Sequence, residues 1–138
     1  MGGMPHPPKM LRPGNGAYAV NPRRTGDRGE RIAADYLKKQ GYQIRGRNFR
    51  CREGEIDIIA EKDEFLIFIE VRTRRSSSMV TPEESVTPYK LARVIAAAQR
   101  YIESHQDLPP SWRIDVVAVE LKRRGKPSRI ELIENVTG

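Results

Sequence analysis

The chain has 138 residues, of which 38% are apolar and 31% charged, with a formal charge of +7; that is enough for one domain with its own core and too little for two ordinary ones. No apolar run approaches the roughly 20 residues that cross a bilayer, so a membrane protein is excluded. The single cysteine, Cys51, excludes an internal disulfide or a thiolate metal cage and fits a reducing cytoplasm.

The opening segment "MGGMPHPPKMLRPGNGAYAVNPRR" has no apolar region of the secretory type and carries five of the ten prolines. Residues 1–25 read as a disordered basic arm, and 26–138 as one domain. Lys9, Arg12, Arg23 and Arg24 give the arm +4 of the total charge with no acid. Such an arm suits a polyanion such as nucleic acid through counterion release, although solvated tails share the composition.

"TGDRGERIAADYLKKQGY" places Ile32, Ala33, Tyr36 and Leu37 at helical spacing, with Thr25 or Asp27 as caps and Gly41 as the stop. "YQIRGRNFRC" is a weaker extended segment. "GEIDIIAE" and "FLIFIEV" are β-branched and aromatic runs joined by a polar turn at residues 62–64. After the polar loop "RTRRSSSMVTPEESV", Thr87 caps and Pro88 begins a second helix, whose Leu91, Val94, Ile95, Ala98 and Ile102 form a stripe ending near His105. "WRIDVVAVEL" and "RIELIENV" then flank the basic turn "KRRGKPS". The order is α-β-β-β-α-β-β. A helix between the third and fourth strands implies a parallel crossover inside an otherwise antiparallel, five-stranded mixed sheet with helices packed on it.

The apolar strands contain two acids. If the hairpin turn is centred between Asp63 and Glu64, residues facing one another across it put Asp57 opposite Glu70 and Glu55 opposite Arg72. Alternation then puts these four on one face and Ile56, Ile58, Ile69 and Val71 on the other. Two facing carboxylates repel and raise each other's pKa unless a counter-charge intervenes. A divalent cation such as Mg²⁺, which takes one or two carboxylates plus water and phosphate oxygens, removes that cost. Arginines around Arg72 could neutralise the pair instead, and spacing alone leaves both arrangements open.

The ordered blocks "GDRGE", "GEIDIIA", "FIEVRTR", "PYK" and "RIDVV", running from Gly26 to about Val119, resemble the YraN-like family of small bacterial proteins within the PD-(D/E)xK nuclease superfamily. The resemblance implies a restriction-endonuclease-like fold related to archaeal Holliday-junction resolvases, and a role in cutting or binding double-stranded or branched DNA. It implies Mg²⁺ or Mn²⁺ held by Asp57, Glu70 and the backbone carbonyl of Val71. Glu30 matches an assisting glutamate on the first helix, although Asp27 and Glu30 also have capping-box spacing. Glu55 is an accessory acid. A homodimer is implied by the analogy with resolvases.

The sequence departs from the superfamily at Arg72, where a lysine is expected. Arginine stays protonated and cannot act as a base, though it can bind a phosphate or stabilise its developing charge. Lys90, near the start of the second helix where the helix dipole disfavours a cation, is the other source of an amine, and a solvated surface lysine reads the same. Arg93 and Arg100 form a ridge suited to backbone phosphates, joined by Arg23 and Arg24 of the arm. Asp115 reads as a structural partner of Arg113. The expectation is a metal-dependent DNA endonuclease; a nucleic-acid-binding protein that keeps the fold without cutting is the alternative that Arg72 favours.

Overall fold

The computed structural model describes residues 21–75, 86–122 and 126–137. The arm up to residue 20, the serine run within 76–85 and most of the basic turn at 123–125 lie outside the described residues. Seven elements follow in the expected order: α1 (Asn21–Lys39), β1 (Gln43–Cys51), β2 (Gly54–Lys62), β3 (Phe65–Arg75), α2 (Pro88–Glu103), β4 (Ser111–Leu121) and β5 (Pro127–Ile133). The strands form one sheet in chain order, β1-β2-β3-β4-β5. β3 and β4 are parallel and every other neighbouring pair is antiparallel. This is the mixed sheet that a helix inserted between β3 and β4 requires.

The hairpin turn is where the sequence puts it. Lys62 pairs with Phe65 and the register runs unbroken to Ile58 opposite Ile69. Asp63 and Glu64 both take positive φ, 50° and 67°, the backbone of a two-residue turn whose twist matches the strands. Helix α1 stops as predicted at Gly41, whose φ is 95°. The Gly41 N–H donates to Lys38 O and the Tyr42 N–H to Leu37 O, a pair of bonds that satisfies the last carbonyls and favours glycine at the left-handed position. Thr87 caps α2 by accepting from the Lys90 N–H, with Pro88 next.

Three boundaries differ from the sequence reading. Helix α1 begins at Asn21, with Pro22 at the position where a missing N–H is not needed, so Thr25 and Asp27 lie inside the helix and the Asp27–Glu30 capping box does not form. β3 runs on to Arg75, because β4 pairs with it residue by residue as far as Leu121; polar side chains do not end a strand whose backbone is still bonded. β5 starts two residues before Arg129 and ends at Ile133.

Both faces of the sheet are covered. Ala33, Ala34 and Leu37 of α1 pack with Ile58, Ala60, Ile67, Ile69, Val117 and Val119. Val94, Ala97, Ala98 and Tyr101 of α2 pack with Phe49, Ile56, Ile59, Leu66, Phe68 and Ile114 on the opposite face. Burial on both faces explains the unbroken "FLIFI", and it corrects the expectation of one apolar and one charged face. Ile58 and Ile69 share the α1 side as expected, but Ile56 joins the α2 side although it is two residues from Ile58. The change of side falls at Asp57, opposite which β1 carries Asn48 with a φ of 54°. The two-stranded ribbon turns over there, leaving Asp57 at the corner.

Candidate functional site

The last paired residues of the β2–β3 ladder are Ile58 and Ile69, so Asp57 and Glu70 occupy the next position, where pairing has ended. Asp57 uses the opening. Its Oδ2 accepts the Val71 N–H at 2.7 Å, which places the carboxylate in the mouth between the two strands. Glu70 points to the α2 side of the sheet by alternation from Leu66 and Phe68, and its Oε2 accepts from Arg72 Nη1 at 3.2 Å.

Both acids hold their protons more tightly than usual. Burial, and after it the charge of Glu70, keeps the Asp57 carboxyl well above the ordinary carboxylate range; the Val71 N–H opposes the rise, and Glu30 and Glu55 add to it. Burial also raises Glu70, against the lowering effect of Arg72 and Lys90. Glu30, on α1, is raised by burial and by Asp27, with Arg47 and Arg50 opposing. Its carboxylate lies 3.6 Å from Arg47 Nη2. The structure therefore places Glu30, Glu55 and Glu70 within electrostatic reach of Asp57, and Glu55, Arg72 and Lys90 within reach of Glu70.

Two close approaches bring the helices in. A Cβ on Gly29 would overlap Thr73 Oγ1 of β3, and a Cβ on Gly54 would overlap the backbone carbonyl oxygen of Arg93 in α2. The first contact lays Glu30 beside the strand ends, and the second brings the start of α2, with Lys90, toward Glu70. Neither glycine was among the residues singled out from the sequence. The signal was there in the repeated pair Gly-Glu: each glycine directly precedes an acid of the cluster.

Other expectations land differently. Glu55 pairs with Arg50 of β1 at 3.3 Å rather than with Arg72, because Arg50 is its cross-strand neighbour in the β1–β2 register. Its side chain is 59% exposed, the place of an acid at the rim. Arg72 turns to Glu70 on its own strand instead. Arg93 and Arg100 are exposed on α2, outside the carboxylate cluster, and Arg100 lies 3.7 Å from Glu53; Arg23 and Arg24 fall in the first turns of α1. Asp115 is fully buried and accepts from the Tyr42 hydroxyl at 2.9 Å, Arg113 Nε at 3.0 Å and the Asn135 N–H at 2.8 Å. With that many donors it is a structural acid that ties β4 to the end of α1 and to the C-terminal residues. Burial and the Asp115 charge raise the Tyr42 hydroxyl far above its ordinary value.

Among the described residues no three His, Cys, Asp or Glu side chains come together as a ready-made metal cage. The donor set is instead two carboxylates that repel each other in a partly dry mouth, which suits a hard divalent ion whose remaining positions are filled by water and phosphate oxygen. Among the described residues no helix is long and apolar enough to cross a membrane.

A family model described as "Uncharacterised protein family UPF0102" matches residues 29–119. The chain is 47% identical over 120 residues to a UPF0102 protein of Dehalococcoides mccartyi, covering 87% of this chain and 98% of that protein. It is 46% identical over 112 residues to one of Roseiflexus castenholzii, covering 80% and 90%. A third, from Caldicellulosiruptor saccharolyticus, is 38% identical over 116 residues, covering 84% and 98%.

Proposed function

This chain belongs to the uncharacterised protein family UPF0102, and we propose that it is a metal-dependent DNA endonuclease acting on branched or double-stranded DNA in the manner of a junction resolvase. The observation that carries the reading is the Asp57–Glu70 pair: two neighbouring carboxylates, both pushed toward the protonated form, at a strand opening formed by an unpaired step of the sheet. An arrangement that destabilises its own charges is a mark of a site built for a ligand.

Asp57 and Glu70 would hold Mg²⁺ or Mn²⁺. When bound, such an ion supplies Lewis-acid activation of water and of the phosphate oxygen. The chain's own groups do the rest. The Val71 N–H fixes the Asp57 carboxylate in the mouth, so the acid is oriented before any ligand arrives. Arg72 offers hydrogen-bond donors only. Its guanidinium, resting on Glu70, becomes free to bind the scissile phosphate once Glu70 is engaged elsewhere, and it stabilises the charge developing there. Lys90 adds a second positive charge beside Glu70. Glu30, with its proton affinity raised, is the acid best suited to orient water or exchange a proton with it.

The 3.2 Å contact between Arg72 and Glu70 favours a second reading, a DNA-binding protein that has kept the fold and lost cleavage, since the arginine already neutralises one member of the pair. Incubation with a four-way DNA junction and Mn²⁺ separates the two. Wild type is expected to cut, and Asp57→Asn and Glu70→Gln to lose at least 100-fold, roughly the worth of a lost charge-stabilising group. Absence of cutting by wild type, or equal cutting by the variants, rules the nuclease out. Arg72→Lys is expected to increase the rate if the arginine is the handicap.

A further inference from the structure

The final arginine of "EVRTR" has no role in the site described above, and its surroundings are unusual. Arg74 lies four residues beyond Glu70 on β3, on the same face by alternation. Its Nη1 is buried with no hydrogen-bond partner, and a buried cationic donor without an acceptor is one of the costlier arrangements a fold can keep. The side chain borders a shallow cleft lined by Arg74, Ala118, Glu120, Arg129 and Glu131.

The sheet explains the cleft. Arg74, Glu120 and Arg129 lie side by side across β3, β4 and β5, and the neighbouring row is Arg72, Ala118 and Glu131. Ala118, the one short side chain of the six, leaves the hollow. Of the two carboxylates in it, that of Glu131 is engaged, and that of Glu120 has one contact at the limit of a hydrogen bond. Glu131 Oε1 accepts from Arg129 Nη2 at 3.4 Å, while Ser128 Oγ donates to the Glu120 carbonyl at 3.2 Å and lies 3.5 Å from its Oε1. Arg72 is held by Glu70. Among the described residues, Arg74 Nη1 is thus a donor left without an acceptor on the face that carries Glu70, with open space to turn into.

We propose that Arg74 is a phosphate-binding residue: its guanidinium swings from the unpartnered resting position into the cleft and grips a backbone phosphate of the DNA strand bound across the Asp57–Glu70 mouth. The site takes a phosphodiester oxygen and reads no base. Four residues of strand place it roughly 13 Å from Glu70, a few nucleotides along a strand that advances 3.4 Å per residue. Such a contact sets the direction and register of the strand over the metal-binding acids. This inference rests on the DNA-directed reading of the site, and it concerns binding rather than cutting.

The test is therefore made in the Asp57→Asn background, where cutting does not intervene. Affinity for a four-way junction is measured against salt for Arg74 and for Arg74→Gln, with melting temperatures alongside. Loss of one phosphate contact lowers the slope of log affinity against log salt by about 0.9, and affinity by roughly 3- to 10-fold; Arg74→Lys, which keeps the charge, is expected to restore the slope. An unchanged slope, whether or not the melting temperature falls, overturns the proposal and leaves Arg74 a structural residue with a water for its partner. If wild type binds with the Arg74-dependent slope but never cuts, the phosphate site stands and the nuclease reading falls. If the protein binds no DNA at any salt, both fall.

Discussion

Asp57 and Glu70 cost the fold energy that a ligand can return. Each binds its proton more tightly in the folded chain than in an unfolded one. Their contribution therefore favours the fold below about pH 4, the ordinary carboxylate value, and is lost as the pH rises through their raised folded values. Cation binding runs the other way, since the ion takes the deprotonated acids and gains as protons leave. Metal-free Asp57→Asn is accordingly expected to melt above wild type at pH 8, because the asparagine oxygen still accepts from Val71 N–H without the charge. Wild type should gain stability from Mn²⁺, more at pH 8 than at pH 5, and the variant should not. Thermal melts with and without the ion decide it; a variant that melts lower, or that gains as much from Mn²⁺, contradicts the charged-pair account.

At the scale of elements, the site depends on how closely two helices approach the sheet. Gly54→Ala drives a methyl group into the Arg93 carbonyl oxygen, a backbone atom held within α2, so the helix itself must shift. A cost of roughly 1–3 kcal/mol is expected, typical of overpacking. Gly29→Ala meets only the Thr73 side chain. Its cost should largely vanish in Gly29→Ala/Thr73→Ala, where the helix also keeps alanine's better propensity. Denaturant midpoints of the three variants check this, and a double variant no better than the single would show that the helix backbone is the obstacle. These contacts were hidden from sequence reasoning because a helix–strand approach depends on which residue of each element meets the other, whereas periodicity reports only which face is apolar. The hairpin register was legible, since a two-residue turn leaves one pairing between β2 and β3.

At the scale of the molecule, α1 and α2 cover opposite faces of the sheet, and Glu70, Arg72 and Arg74 follow one another along the last part of β3. Charge collects at that end. Under the proposed DNA binding, the basic excess of the chain acts through long-range attraction, which salt weakens. Removal of residues 1–20, which takes away Lys9 and Arg12, is expected to lower the salt slope of DNA binding by about 2, near 0.9 per phosphate contact. A titration of truncated and full-length chains over salt reads this directly, and equal slopes would leave the arm without a part in binding.

The sequence by itself determined the order of elements, the parallel crossover, the turn at Asp63–Glu64 and the meeting of Asp57 with Glu70, because each follows from local pattern or from a register that one turn dictates. It also held Asp115 to a structural role through its neighbour Arg113. Tertiary structure alone decided that Glu55 answers to Arg50, that Ile56 and Ile58 enter different cores, that β3 continues through its arginines, and that Gly29 and Gly54 admit the helices. Those outcomes depend on the backbone turning over at Asp57 and on atoms distant in the chain competing for one space, and neither can be read from the spacing of residues along a strand.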